Sequence, residues 1–226
     1  VKEYITADFS ELKHGIKRFI PTTQSMKVKD SDTGREKMYY YKTPVKNINV
    51  VGAPFTINEG DDDQTGYKVL RIGDASDYVK GYKQYEITYD FDMGDDRLKA
   101  YDMFYFDIIG PDWNTSIENV QFEVTFDKDA DLSQTKIYSG KVGSIDESKT
   151  TWTVDGNMVR GFTTQSLSKK EALTMYVELP AGYYEGARGY SSVVPVIILV
   201  LLIVLLFIII FFKITFIKIA ARHKTL

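Results

Sequence analysis

Apolar and polar side chains alternate with a period of two over much of residues 1–179, and the alternating runs end in clusters of Gly, Asp, Asn or Ser. That is the pattern of half-buried β-strands, because successive side chains on a strand point to opposite faces. Two runs carry it most cleanly: Tyr82 to Phe91, with Tyr85, Ile87, Tyr89 and Phe91 in one row, and Ile117 to Phe126, with Val120, Phe122, Val124 and Phe126. Tyr101 to Ile109 is nearly all apolar, which suits a central strand buried on both faces. Further strands are predicted at 1–9, 26–30, 37–42, 46–51, 67–72, 136–142, 150–154, 158–162 and 173–179, with a hairpin turn at Ser31-Asp32-Thr33-Gly34. Glu11 to Pro21 reads as a compact loop, Asn58 to Gly66 (NEGDDDQTG) as a loop without an apolar residue, and Ser168 to Ala172 as one helical turn. About ten to twelve short strands predict a mostly β fold, an antiparallel β-sandwich over residues 1–182. One elongated domain is favoured; the alternative is two stacked pieces with a seam near the acidic loop.

The pattern then changes. Val193 to Phe212 (VVPVIILVLLIVLLFIIIFF) has no charged, amide or hydroxyl side chain. At about 1.5 Å of rise per residue it reaches roughly 30 Å, the thickness of a bilayer's hydrocarbon core, so a single transmembrane helix is expected at 193–212. Pro195 falls in its first turn, where a missing N–H costs little. A Gly- and Tyr-rich linker at 183–192 precedes it, and Tyr183, Tyr184 and Tyr190 fit an interfacial aromatic belt. The tail, 213–226, is basic, with Lys213 and Lys218 at the membrane interface and Arg222 and Lys224 beyond. By the positive-inside rule the C-terminus is cytoplasmic and residues 1–192 lie outside. The first residue is Val1, not Met, so removal of an export signal is expected. The span has no ionisable residue and no small-xxx-small pattern, so it reads as an anchor.

Charge and cysteine usage narrow the function classes. The 226 residues carry a formal charge of −3, but all 31 acidic residues and 24 of the 28 basic ones precede the span, leaving about −7 before it and +4 after it. An acidic outer domain argues against nucleic acid as a partner, since phosphate needs the opposite sign. With no cysteine, there are no disulfides, thiolate nucleophiles or cysteine zinc sites. A cysteine-free exported domain suits a bacterial surface.

Several short motifs together resemble a known family. They are His14-Gly15-Ile16-Lys17-Arg18-Phe19-Ile20-Pro21, Ile72-Gly73-Asp74, the Tyr85 to Tyr89 strand, Gly110 through Trp113 with Ile117, and Leu179-Pro180-Ala181-Gly182. Their order, spacing and position before a span are similar to the bacterial predicted membrane proteins grouped under domain of unknown function 2207, over most of residues 1–182. The resemblance implies an exported β-rich domain followed by one or more spans, often with a glycine-rich tail, and implies no biochemical role. Where that family often carries Tyr-Trp-Asn before its glycine, this chain has Tyr105-Phe106-Asp107.

The chemistry-bearing residues favour recognition over catalysis. Asp61-Asp62-Asp63 and the Asp127-x-Asp129-x-Asp131 spacing offer oxygen ligands that calcium uses, but the second set has Leu132 and Tyr138 where an EF-hand loop needs Gly and Glu. Solvated turn carboxylates are the favoured reading, and no metal or cofactor is expected. His14 is the sole histidine before the span and no nucleophile motif accompanies it, so no enzyme is expected. Two loops, His14 to Arg18 and Asp112 to Asn114, are candidates for a recognition surface, with Trp113 stacking on a partner and Arg18 meeting a carboxylate. The favoured reading has Trp113 plugging one end of the sandwich and Arg18 paired with an acidic neighbour. The expected function is a membrane-anchored, non-enzymatic binding module at the bacterial cell surface, with the lipid bilayer and another envelope protein or membrane subunit as partners. Alternatives are an accessory single-span subunit of a membrane complex and a tethered hydrolase using His14.

Overall fold

The computed structural model describes residues 1–29, 35–59, 66–93, 98, 100–184, 199–209 and 213. The chain divides into two compact units, Val1–Gly189 and Tyr190–Leu226. The first is mostly β and its sheets are antiparallel throughout.

Within that unit the strands fall into two lobes, each with its own core. In the N-terminal lobe, β1 (Lys2–Lys13), β8 (Val79–Phe91) and β5 (Val45–Val51) form one sheet in the order β1-β8-β5. A second sheet runs in the order β2 (Ile16–Pro21), β7 (Tyr67–Ile72), β6 (Phe55–Glu59). Alternation sends Phe9, Ile20, Val50, Leu70, Ile72 and Ile87 from both sheets into one cluster. Each fully buried side chain of this size contributes about 1.5–3 kcal/mol, so this shared core, more than any strand propensity, holds the two sheets together. A separate ribbon pairs β3 (Thr23–Lys29) with β4 (Glu36–Lys42).

The C-terminal lobe repeats the plan. One sheet has β11 (Lys136–Gly140), β14 (Ala172–Pro180) and β9 (Tyr101–Ile109), with β14 central and nearly continuously buried. The other has β10 (Gln121–Thr125), β13 (Met158–Thr163) and β12 (Thr150–Asp155). Their core is Val159, Leu167, Leu173, Met175, Val177 and neighbours. Gly161 stands between Phe122 and Trp152 in register, and an added Cβ there would lie 2.3 Å from the Phe122 ring. The glycine makes room for the aromatic to cover the sheet. The rings of Phe91 and Phe106, one from each lobe, meet edge to face at 5.2 Å.

Several local expectations need correction. Glu11 to Pro21 is not a loop: Ile16–Pro21 is β2, paired along its length with β7. Short β6 was not anticipated at all. The run at Ile117 shortens to β10, with Ile117 making an isolated bridge to Leu167. Ser168 to Ala172 is a turn with Lys170 at φ 67°, not a helical turn. The acidic loop does not mark a seam, because the strands on either side of it pair in one sheet; the two cores divide instead across 92–100. Residues 60–65, with Asp61 to Asp63, and the 31–34 turn lie outside the described residues.

The expected span is described only over 199–209, which is helical, as is Lys213; residues 193–198, including Pro195, and 210–212 lie outside. Among the described residues no helix is long and apolar enough to cross a membrane. The apolar side chains of 199–209 are 46 to 69% exposed.

Candidate functional site

The period-two register places two opposite charges inside the N-terminal lobe. Arg18 lies on β2 in the same row as Ile16 and Ile20 and is 5% exposed. Glu3 lies on β1 in the row of Ile5, Ala7 and Phe9. They meet as a bidentate pair: Arg18 Nε donates to Glu3 Oε2 at 2.9 Å and Nη2 to Oε1 at 2.8 Å. Nη1 donates to the Phe19 carbonyl. The Tyr89 hydroxyl of β8 donates to Glu3 Oε1 at 2.7 Å. Burial works against both charges, but mutual attraction and the shared hydrogen bonds outweigh it, holding Glu3 below its ordinary value and Arg18 above its own.

The turn after β9 in the C-terminal lobe closes over this pair. The Trp113 ring lies 6.0 Å from the Arg18 guanidinium carbon, and an added Cβ on buried Gly110 would lie 3.9 Å from Nη1. Lys170 N–H donates to the Trp113 carbonyl at 2.9 Å and fixes the turn. Asp112 interacts with Tyr67 across the seam, while Asp107 accepts from the Thr174 hydroxyl at 2.6 Å. Burial pushes both carboxyls up; Asp112 adds to the effect on Asp107, while Lys170 and Arg18 pull Asp112 back. Arg18 and Trp113 are thus brought together, but the guanidinium is spent on Glu3 and is not open to an incoming carboxylate.

His14 stands elsewhere, at the opposite end of β1 and β8 from the seam. Its Nδ1 lies 2.8 Å from the Asp77 carbonyl, which can only accept, so Nδ1 carries the proton. Its ring stacks on Tyr78 at 4.2 Å. Two glycines brace the pair of loops. Gly15 and Gly73 have φ of 131° and 135°, and a Cβ on either would lie 1.9 Å from a carbonyl oxygen of the other loop. Only glycine permits that approach. Asp74 closes the second loop by accepting from Ser76 N–H and Oγ at 2.8 and 2.7 Å. Tyr78 is 57% exposed and His14 is exposed, so this tip is open to solvent.

The profile of the predicted membrane protein (DUF2207) N-terminal domain matches residues 1–179, which end one residue before the close of β14. The chain belongs to this family. Searches of curated proteins and of solved structures gave no match.

The DUF2207 domain places the remaining candidates as follows. Tyr183 and Tyr184 pack on the core of the C-terminal lobe. The Tyr183 hydroxyl donates to the Lys128 carbonyl at 3.0 Å, and Tyr184 N–H donates to Asp102 at 2.8 Å. Tyr190 and Lys218 lie outside the described residues; Lys213 is helical and exposed. Asp127, Asp129 and Asp131 lie in an exposed loop, where Asp129 accepts from Asn157 and Asp131 from Ser133 N–H. Among the described residues no group of His, Asp and Glu is arranged to hold a metal ion.

Sequence reasoning missed Glu3, Tyr89, Asp107, Tyr67 and Tyr78. For Glu3 the signal was present: a carboxylate in the inward row of an alternating strand demands a buried partner. Tyr78 had none, because its exposure depends on a loop held by residues 63 positions away.

Proposed function

We propose that this DUF2207 domain is the non-enzymatic binding part of a single-span surface protein, with its β-sandwich lobes outside the cytoplasm and its C-terminus inside. The eleven apolar residues exposed at 199–209 support a membrane environment for the second unit, since water does not tolerate such a surface on a monomer. The observation that carries the binding reading is the tip: two loops in close backbone approach, joined by the His14 to Asp77 contact, present His14 and Tyr78 side by side and open to solvent. Rigid loops on a β scaffold pay little ordering cost when a partner binds. The seam, by contrast, uses its charges on itself, so recognition is assigned to His14 and Tyr78 and architecture to Arg18 and Trp113.

Mild crosslinking of the full chain in its native membrane, followed by mass spectrometry, tests this. An envelope protein or glycan captured by the wild type and lost with Tyr78→Ala or His14→Ala is expected, with capture retained in Trp113→Phe. Equal capture by all variants contradicts the assignment to the tip.

A further inference from the structure

The sheet β1-β8-β5 has two faces of different chemistry. Its inner rows send Phe9, Val50, Tyr85 and Ile87 into the N-terminal core. Its outer rows carry Tyr4 at 73% and Tyr82 at 79% exposure. Register sets these rings on one ladder: Tyr4 stands opposite Glu86, Thr6 opposite Gln84, and Asp8 opposite Tyr82. They occupy diagonal corners of one patch, a strand apart and about 14 Å apart along the strands at about 3.4 Å per residue. Thr6 and Gln84, both exposed, lie on the ground between them. The paired strands beneath fix that spacing, because their other face is held by the core.

Charge and pattern indicate what such a face takes. Lys2 Nζ lies 2.8 Å from Glu86 Oε1, and Lys46 of β5 stands opposite Asp90 in register. These charges answer one another, so the face has no strong field to steer a charged partner, although residues 1–192 together carry about −7. Nor is the face apolar. A hydroxyl, an amide and a carboxylate stand between and beside the rings, whereas the centre of a protein interface is an apolar patch depleted of charge, and a lipid surface asks for a continuous apolar stripe or a basic cluster. Separate flat aromatics set among hydrogen-bonding groups match a ring with an apolar C–H face and a rim of hydroxyls, which is a sugar. Tyrosine supplies both halves of that match, a stacking surface and an O–H, with few rotors to order. The Asp8 carboxylate, opposite Tyr82, accepts hydrogen bonds from adjacent hydroxyls.

We propose that the outer face of β1 and β8 binds an uncharged polysaccharide chain, with Tyr4 and Tyr82 as stacking platforms and Thr6, Gln84 and Asp8 as hydrogen-bonding partners. A chain is required, because no single sugar ring reaches both tyrosines at their separation. Each ring alone holds a sugar weakly, but the first contact raises the effective concentration of the chain at the second. The site goes beyond the tip and is independent of it: His14 and Tyr78 take no part, so loss of capture at Tyr78 leaves this proposal untouched.

The test passes the full-length protein, in a polyoxyethylene detergent whose head group carries no sugar, over immobilised hydroxyethyl cellulose, galactomannan, laminarin and mannan in biolayer interferometry. Binding to at least one of them is expected, and it should persist near 1 M salt, where the screening length is about 3 Å. Tyr4→Ala and Tyr82→Ala are each expected to weaken it about tenfold, and the double variant to abolish it. Tyr82→Phe keeps the ring and is expected to keep the binding, as is Tyr78→Ala. The tyrosines changed are all exposed, so neither core is disturbed, and matched melting temperatures check this. Failure of all four polysaccharides to bind overturns the proposal, as does binding that salt abolishes, that survives in the Tyr4→Ala, Tyr82→Ala double variant, or that is lost with Tyr78→Ala.

Discussion

The two lobes of the β unit share one plan and differ in what they bury. Each closes two three-stranded sheets over a core, yet the C-terminal core is hydrocarbon around β14, with Leu173, Met175 and Val177 all fully buried. The N-terminal core admits Glu3, Arg18 and the Tyr89 hydroxyl along one edge, where the other lobe's Trp113 covers them. A buried pair of this kind adds little to stability beyond what apolar residues would supply, but it is costly to break. The difference teaches that the N-terminal lobe is held in one arrangement by geometry as well as by burial, and that its seam edge is a place where pH acts.

The comparison can be broken most forcefully at Arg18. Arg18→Ala leaves Glu3 buried without its partner and is expected to cost about 3–5 kcal/mol, with faster hydrogen exchange in β1, β2 and β8 and little change in β14. Equal loss of protection in both lobes would mean that the pair serves the whole unit. Leu173→Ala removes a fully buried side chain from the other core and is expected to cost about 2–5 kcal/mol, with a cost that does not vary between pH 4 and pH 7. Thermal unfolding at the two pH values checks it.

Titration separates the carboxylates by sign. Glu3 is depressed, so its contribution is complete above its ordinary value of 4.5 and is lost as pH falls from there toward the folded value. Asp107 is raised, so its ionisation costs stability as pH rises above 3.8 through the folded value. Asp107→Asn is therefore expected to raise the melting temperature at pH 7 and to leave it unchanged near pH 3. The smallest effect is expected at Tyr85, 3% exposed, whose hydroxyl finds no hydrogen-bond partner among the described residues. Tyr85→Phe is expected to gain about 1 kcal/mol in a denaturation series; a loss of that size would reveal a partner for the hydroxyl.

Much of the fold was legible because period-two alternation is a local property. The bounds of Tyr101 to Ile109 and of the predicted strand at 173–179 match β9 and most of β14, and the Tyr85 to Phe91 row is found in β8, but β9 is a half-buried edge strand and β14 takes the central place expected of β9. Alternation tells inside from outside but not which sheets face each other, so two cores could not be read from it. β2 escaped because Arg18 interrupts the row of Ile16 and Ile20, and the residue that makes Arg18 tolerable inside is Glu3, on another strand. The site was legible only in parts: Trp113 does lie in a turn, but Ile16 to Arg18 of the expected His14 loop are strand, and 63 positions separate His14 from Asp77, so no local pattern announces the contact.

A double-mutant cycle on Glu3 and Arg18, using Glu3→Gln, Arg18→Met and both together in the full chain, tests the central claim most directly. If the guanidinium is committed inward to Glu3, the two substitutions are strongly non-additive, with a coupling of about 2–3 kcal/mol at pH 7. Additive losses would contradict the account and return Arg18 to the surface as a group open to a ligand.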